Sequence, residues 1–297
     1  ALAEDGRRLA AEREAERARG LVIPPAWREV WIAKEPNAHI QAVGTDEAGR
    51  RQYTYHADWS KGRDKGKFAR ALQLAEALPR ARARVTQSLR RSDVDRERVL
   101  AVSFRLLDQV APRVGNARYF VTNGSRGLTT LQRRDATVEG DLIRLSFPAK
   151  SGKRAELSLQ DAEVAALMSE LATGRSRAAL LSYRRGRRRV PLTPGDVNAY
   201  VRALTGGPFS AKDFRTLRGT ILAAEALAEA GVAPTKNERK KVELAAVRAA
   251  ADALGNPPAV ARSSYIDPRV FSLYRRGRTM ELGGSKDAAI RRLILGE

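Results

Sequence analysis

The chain has 297 residues, 43% of them apolar, and sets 55 Lys plus Arg against 34 Asp plus Glu for a net charge of +21 and a pI near 11.0. That length allows one large domain or two with real cores, and the cationic excess suits a polyanionic partner, nucleic acid ahead of acidic lipid. Zero Cys excludes a disulfide scaffold, thiol chemistry and Cys-ligated zinc, two histidines without a carboxylate cluster argue against a metal centre or a Ser-His-Asp hydrolase, and no apolar run approaches the ~20 residues that span a bilayer.

Residues 3–19 are charge-dense and Ala-rich and read as a surface helix that Pro24-Pro25 ends, and the charged start does not have the form of a signal peptide. From Trp27 to Tyr55 the texture is strand-like: Val30-Trp31-Ile32, His39 to Val43, a turn at Asp46 to Gly49, and a last strand Arg50 to Tyr55. In that last strand Gln52, Tyr53 and Tyr55 sit beside Arg50 and Arg51, so amide, phenol and guanidinium groups reach toward base edges and phosphates along one ribbon. The competing reading has the tyrosines packing a small core. Trp59 to Lys67 is polar, basic and Gly-containing, which predicts a linker that touches phosphates and includes Lys65. The boundary falls there, giving a β-rich module over 1–62 and a second domain over 67–297.

Helical periodicity returns at Phe68–Leu78 and at Val85–Leu89, and Asp95 starts a further helix through Val110 that ends near Pro112 to Gly115. After the short run Arg118 to Val121, strands are expected at Leu128–Leu131 and Asp141–Phe147. Leu142 to Leu159 holds two alternating segments around Ser151-Gly152, a hairpin signal with Lys150 at its tip, either solvated or a finger that places one ammonium in a groove. Asp161–Leu171 reads as a helix, Tyr183 to Arg189 as a basic run facing phosphate or solvent, and Thr193 starts a helix over Pro194–Leu204. Gly206-Gly207-Pro208 breaks the chain before Ser210, which can cap a helix from Ala211 to Ala230. Arg215 falls in its first turns, where backbone N–H groups, the macrodipole and a guanidinium would converge on an anion; a solvated basic helix start is the alternative. A last amphipathic helix over Lys236–Leu254 stops at Gly255-Asn256-Pro257-Pro258, and no internal repeat is present.

The order Arg113, hairpin Lys150, Lys212 with Arg215, Asn256 and then Tyr265 resembles the type IB DNA topoisomerases, in particular the compact bacterial branch related to the poxvirus enzymes. The resemblance is carried by Pro112 to Tyr119, Gly127 to Leu131, Phe147 to Lys153, Lys212 to Thr220 and Ser264 to Pro268, with Gly49 to Tyr55 similar to the family's base-contacting strand. It implies an α+β fold, a β-rich N-terminal domain and a mostly α-helical catalytic domain with a small hairpin, forming a C-shaped clamp around duplex DNA. It further implies that Tyr265 attacks a phosphodiester to give a 3′-phosphotyrosyl link, that Arg113 and Arg215 are the two catalytic arginines, and that Lys150 is the hairpin lysine. Asn256 stands nine residues before the nucleophile where the family usually has histidine, keeping one hydrogen-bond donor while giving up a charged one. DNA contacts are implied at Arg50, Gln52, Tyr53, Tyr55, Lys65, Tyr119 and Lys212. The expected enzyme relaxes supercoils as a monomer in the nucleoid-bearing cytoplasm, without metal, ATP or another cofactor. A tyrosine recombinase would show His-x-x-Arg where this chain has Lys212 three residues before Arg215, and an architectural DNA binder would leave no covalent adduct.

Overall fold

The computed structural model describes residues 12–47 and 49–296, without the side chains at positions 12, 13, 60–65, 119 and 151. The chain divides into two compact units, one up to Gly66 and one from Lys67 onward. The first unit holds α1 (Glu12–Gly20) and an antiparallel sheet β1 (Arg28–Ile32), β2 (Ile40–Thr45), β3 (Arg51–Tyr55), in the order β1-β2-β3. The strands fall where period-2 alternation predicts them. Strand β2 is central and most buried, and α1 is tied to the sheet by Arg17, whose Nη2 donates to Ala33 O at 2.5 Å and whose Nη1 donates to Gln41 Oε1 at 3.2 Å. Gly44 is needed in β2 because a Cβ there would meet the Trp27 ring at 2.6 Å.

The expected linker is a helix. α2 (Ala57–Leu89) runs without a break through Gly62, Gly66 and Pro79, replacing both the flexible segment at 59–67 and the separate helices at 68–78 and 85–89. Its second half buries Phe68, Leu72, Ala75, Leu78, Val85 and Leu89 as one stripe at helical spacing. That continuous packing outweighs the ~3 kcal/mol a helix-interior proline costs.

In the second unit α3 (Arg96–Val110), capped by Asp95, is central; Val99, Leu100, Val102, Phe104, Leu106 and Leu107 are all buried. α4 (Ala117–Asn123) follows. Residues Leu128–Thr130 form a 3-10 turn rather than a strand, because the Gly127 N–H donates to Thr130 Oγ1 at 2.9 Å and Thr130 N–H returns to Gly127 O at 2.8 Å. The predicted hairpin is present as β5 (Leu142–Pro148) and β6 (Arg154–Gln160), joined by β4 (Ala136–Glu139) at the free edge of β5. α5 (Ala162–Leu171) comes next, and the basic run 183–189 then folds into a second hairpin, β7 (Ser182–Arg185) and β8 (Arg188–Pro191). The remainder is helical: α6 (Pro194–Thr205), α7 (Ala211–Ala230), α8 (Lys236–Leu254), α9 (Pro258–Ser264), α10 (Pro268–Arg275) and α11 (Lys286–Leu295). Helix α7 lies against α3 and α8, with Phe104 and Phe214 edge-to-face at 5.3 Å. The tail beyond Arg278 belongs to the core, since Ala289 and Ile290 are buried and Asp287 pairs with Arg82, which also grips Asp108 at 2.8 Å. Among the described residues, no helix is long and apolar enough to cross a membrane.

Candidate active site

The start of α7 does not wait for an anion. Ser210 N–H donates to Asp213 Oδ2 at 2.8 Å, Ala211 N–H donates to Asn198 Oδ1 at 3.0 Å, and Asp213 also pairs with Arg70 at 2.7 Å. The first-turn amides expected to gather a phosphate are thus already met by a carboxylate and an amide. Arg215 sits one turn further in and is 5% exposed. Its Nη1 donates to Ala111 O at 2.6 Å and its Nη2 to Leu254 O at 2.8 Å, so two backbone carbonyls from different segments fix the fork. The guanidinium carbon lies 5.0 Å from the centre of the Tyr265 ring. Burial pushes the Arg215 guanidinium below its ordinary value, attraction to the Tyr265 phenol opposes that, and neighbouring Arg113 adds to it. Arginine starts so high that the group remains a cation. Lys212, three residues earlier, is exposed.

Tyr265 closes α9, its N–H donating to Ala261 O at 3.0 Å, and it is held from behind by α7. A Cβ on Gly219 would stand 2.7 Å from Tyr265 O and 3.1 Å from Tyr265 Cβ, so only glycine lets the Tyr265 backbone come this close. Thr220 Oγ1 accepts from Asp267 N–H at 3.1 Å and lies 3.3 Å from Tyr265 O, pinning the far side of the same residue. Sequence reasoning passed over Gly219 and Thr220 as positioning groups. The signal was a glycine inside a helix, which costs ~1 kcal/mol relative to alanine and therefore asks for a close contact. Tyr274, the other tyrosine nearby in sequence, is fully buried; its hydroxyl donates to Gly231 O at 2.9 Å and accepts from Ala233 N–H at 3.2 Å, a structural arrangement.

Arg113 follows Ala111, whose φ of 44° turns the chain out of α3. Leu128 N–H donates to Arg113 O at 2.8 Å and Thr129 N–H to Val114 O at 2.9 Å, while a Cβ on Gly127 would sit 2.5 Å from Arg113 O. The 3-10 turn therefore clamps the Arg113 backbone. The Arg113 Nη2 donates to Asn256 Oδ1 and lies 3.4 Å from Gly255 O. Because Oδ1 faces a guanidinium, the amide orientation is decided: Nδ2 is the remaining donor, and this buried atom, on a residue 6% exposed, has no acceptor among the described residues. Arg113, Arg215, Asn256 and Tyr265 are thus brought together from four separate segments. Arg113 and Arg215 border a cleft of about 100 Å³ whose walls also carry Arg126, Lys153, Leu254 and Gly255, the residue before Asn256. Lys150 stands apart from that wall. It begins the 3-10 turn Lys150–Gly152 between β5 and β6 and is exposed, with the turn closed by Ala149 N–H donating to Lys153 O at 2.7 Å.

The strand-rich unit separates its expected contacts. Arg50 precedes β3 and is engaged by Asp46, Nε to Oδ2 at 2.7 Å, and Gln52 Nε2 donates to the same oxygen at 2.9 Å. Gln52 also points to the opposite face of the strand from Tyr53 and Tyr55, so the single ribbon predicted from the sequence is two faces. Tyr53 is 44% exposed and stacks on Tyr55 at 6.2 Å, which in turn stacks on Trp59 at 4.5 Å. The side chains of Lys65 and Tyr119 lie outside the described residues.

Residues 56–274 match the family model for the eukaryotic DNA topoisomerase I catalytic core, and residues 2–46 match that for the bacterial DNA topoisomerase IB N-terminal domain. The chain is similar to DNA topoisomerase 1B of Acanthamoeba polyphaga mimivirus, 27% identical over 270 residues that cover 89% of this chain and 80% of the viral one. It is also similar to DNA topoisomerase I of monkeypox virus and DNA topoisomerase 1B of vaccinia virus (strain Western Reserve), each 24% identical over 124 residues, 42% of this chain and 39% of theirs.

Proposed function

The chain belongs to the type IB DNA topoisomerases, and from that membership we propose that it relaxes supercoiled duplex DNA through a 3′-phosphotyrosyl intermediate formed on Tyr265. The observation that carries this reading is a chain of neighbours: the Arg215 guanidinium over the Tyr265 ring, Arg113 close enough to act on Arg215, and Arg113 bonded to Asn256, whose buried Nδ2 has no acceptor among the described residues. The Tyr265 hydroxyl oxygen attacks phosphorus in line with the 5′-oxygen, the P–O5′ bond breaks, and the phosphate stays on the protein as a 3′-linked diester. The phenol's proton passes to water. Negative charge builds on the non-bridging oxygens during attack, and Arg113, Arg215 and Asn256 Nδ2 donate to them, each such donor being worth ~10²–10³ in rate. The leaving 5′-oxygen receives its proton from Lys150, carried on the hairpin tip. Rotation of the freed 5′-hydroxyl strand relaxes the helix, and the reverse attack rejoins it.

The reacting groups are all supplied by the chain, so neither a metal ion nor ATP enters the scheme. We place the strand-rich unit, with Tyr53 exposed along β3 and stacked on the half-buried Tyr55, as the groove-reading half of a C-shaped clamp that acts as a monomer, Lys212 contributing a phosphate contact beside the scissile strand. Supercoiled plasmid incubated with the protein in EDTA, without ATP, should yield a ladder of relaxed topoisomers. An unchanged plasmid overturns the proposal.

A further inference from the structure

Lys150 is exposed at a hairpin tip, yet a proton donor must be placed to within a fraction of an ångström. Arg126 joins the base of that tip to the segment before it. Its backbone N–H donates to Pro148 O at 2.7 Å, two residues before Lys150, and so ties the base of the tip to the turn at 124–130. Its side chain is almost wholly inside the protein, 8% exposed, against a carboxylate that is 3% exposed: Nε lies 2.8 Å from Asp135 Oδ2, and Nη2 donates to Asp135 Oδ1 at 2.9 Å. Nη1 donates to Gln132 Oε1 at 3.2 Å, and Gln132 N–H in turn donates to Asp135 Oδ2 at 2.8 Å.

We propose that the buried Arg126–Asp135 pair is a positioning device for Lys150, locking the turn that holds the hairpin tip over the cleft. The inference rests on the role given to Lys150 above. Arg126 borders the cleft, but its Nη1 and Nη2 already donate to Gln132 and Asp135, its buried Nε lies against Asp135 Oδ2 without making a hydrogen bond, and its charge is matched by the carboxylate. It is therefore not a third phosphate clamp. The same turn also grips Arg113 through Leu128 N–H and the close approach of Gly127, so one short segment sets the distance between an arginine on the phosphate and the lysine on the leaving group. Breaking one member of a buried pair leaves an uncompensated charge, whereas replacing both by apolar groups of similar volume keeps the fold.

The test uses the double variant Arg126→Met/Asp135→Leu in the full chain, with single-turnover cleavage measured on two substrates. One has the natural 5′-oxygen at the scissile bond; the other has sulfur there, a leaving group with a thiol's pKa near 8.5 that departs without a donated proton. The expected result is a tenfold or greater loss on oxygen that shrinks to about twofold on sulfur, with the thermal midpoint within a few degrees of the parent. Asp135→Asn, keeping the shape but not the charge, should show the same split in weaker form. Equal losses on both substrates, or no loss on either, overturn the inference. Lys150→Ala is run alongside to separate two failures. If sulfur rescues Lys150→Ala but not the pair variant, the positioning role alone falls; if sulfur does not rescue Lys150→Ala, the acid role of Lys150 falls first and the inference with it.

Discussion

Two parts of the second unit are built in opposite ways. On one side Arg215, Arg113, Asn256 and Tyr265 are locked by neighbouring segments: Arg215 to the carbonyls of Ala111 and Leu254, Arg113 to the side-chain oxygen of Asn256, and Tyr265 to α7 through Gly219 and Thr220. On the other side Lys150 projects from a three-residue turn with no neighbour fixing its side chain among the described residues. The difference follows from what each side is asked to do. Donors that meet charge as it grows must be oriented before the reaction, because reorienting them later would consume the advantage. Lys150 is held through the backbone of its turn, which Arg126 N–H ties down at Pro148 O, and not through contacts of its own side chain.

This contrast can be broken or sharpened experimentally. The largest effect is expected from Tyr265→Phe, which removes one oxygen and leaves the ring under Arg215: no covalent adduct by denaturing gel and no relaxation, with duplex affinity nearly unchanged. If that variant still relaxes plasmid, the locked wall has been assigned to the wrong tyrosine. Next in size is Arg215→Lys. A single ammonium cannot hold two carbonyls and a phosphate at once, so single-turnover cleavage should fall ~10²–10³-fold although the charge is kept. Gly219→Ala follows, with a drop of ~10–100-fold in cleavage and little change in binding, since the new methyl displaces the Tyr265 backbone without touching DNA. A rate equal to the parent would show that the close approach is incidental. The smallest effect belongs to the exposed side: Lys212→Ala should lower affinity and reduce the slope of log affinity against log salt by ~0.9, one phosphate's worth.

What the sequence disclosed, and what it hid, follows the same division between local and distant forces. The strands of the first unit, the capped helices after Asp95, Thr193 and Ser210, and the hairpin around Lys150 were legible because their signals are local: alternation, caps and turn residues. The order of Arg113, Arg215, Asn256 and Tyr265 was legible as a family resemblance. Helix α2 was not, because two glycines and a proline read as breaks until the stripe from Phe68 to Leu89 has a core to pack against. The 3-10 turn at Leu128–Thr130 was mistaken for a strand because its apolar residues have no distinguishing period over so short a run. Arg126 and Asp135 carried no signal, nine residues apart in a chain with 55 basic residues; only the fold makes them partners.

Asn256 has a consequence for how the enzyme should behave as its surroundings acidify. Histidine is the one side chain whose ordinary charge change falls between pH 5 and 8, and none of the five residues assigned to the chemistry is a histidine. With Oδ1 held by Arg113, the amide offers its Nδ2 proton unchanged across that range, so the cleavage step should show no inflection near pH 6.5 that belongs to this position. Asn256→His would install one. A flat profile in the parent and a sloping one in the substituted protein would mark this site as a catalyst that has given up sensitivity to acidity in return for a donor that is always armed.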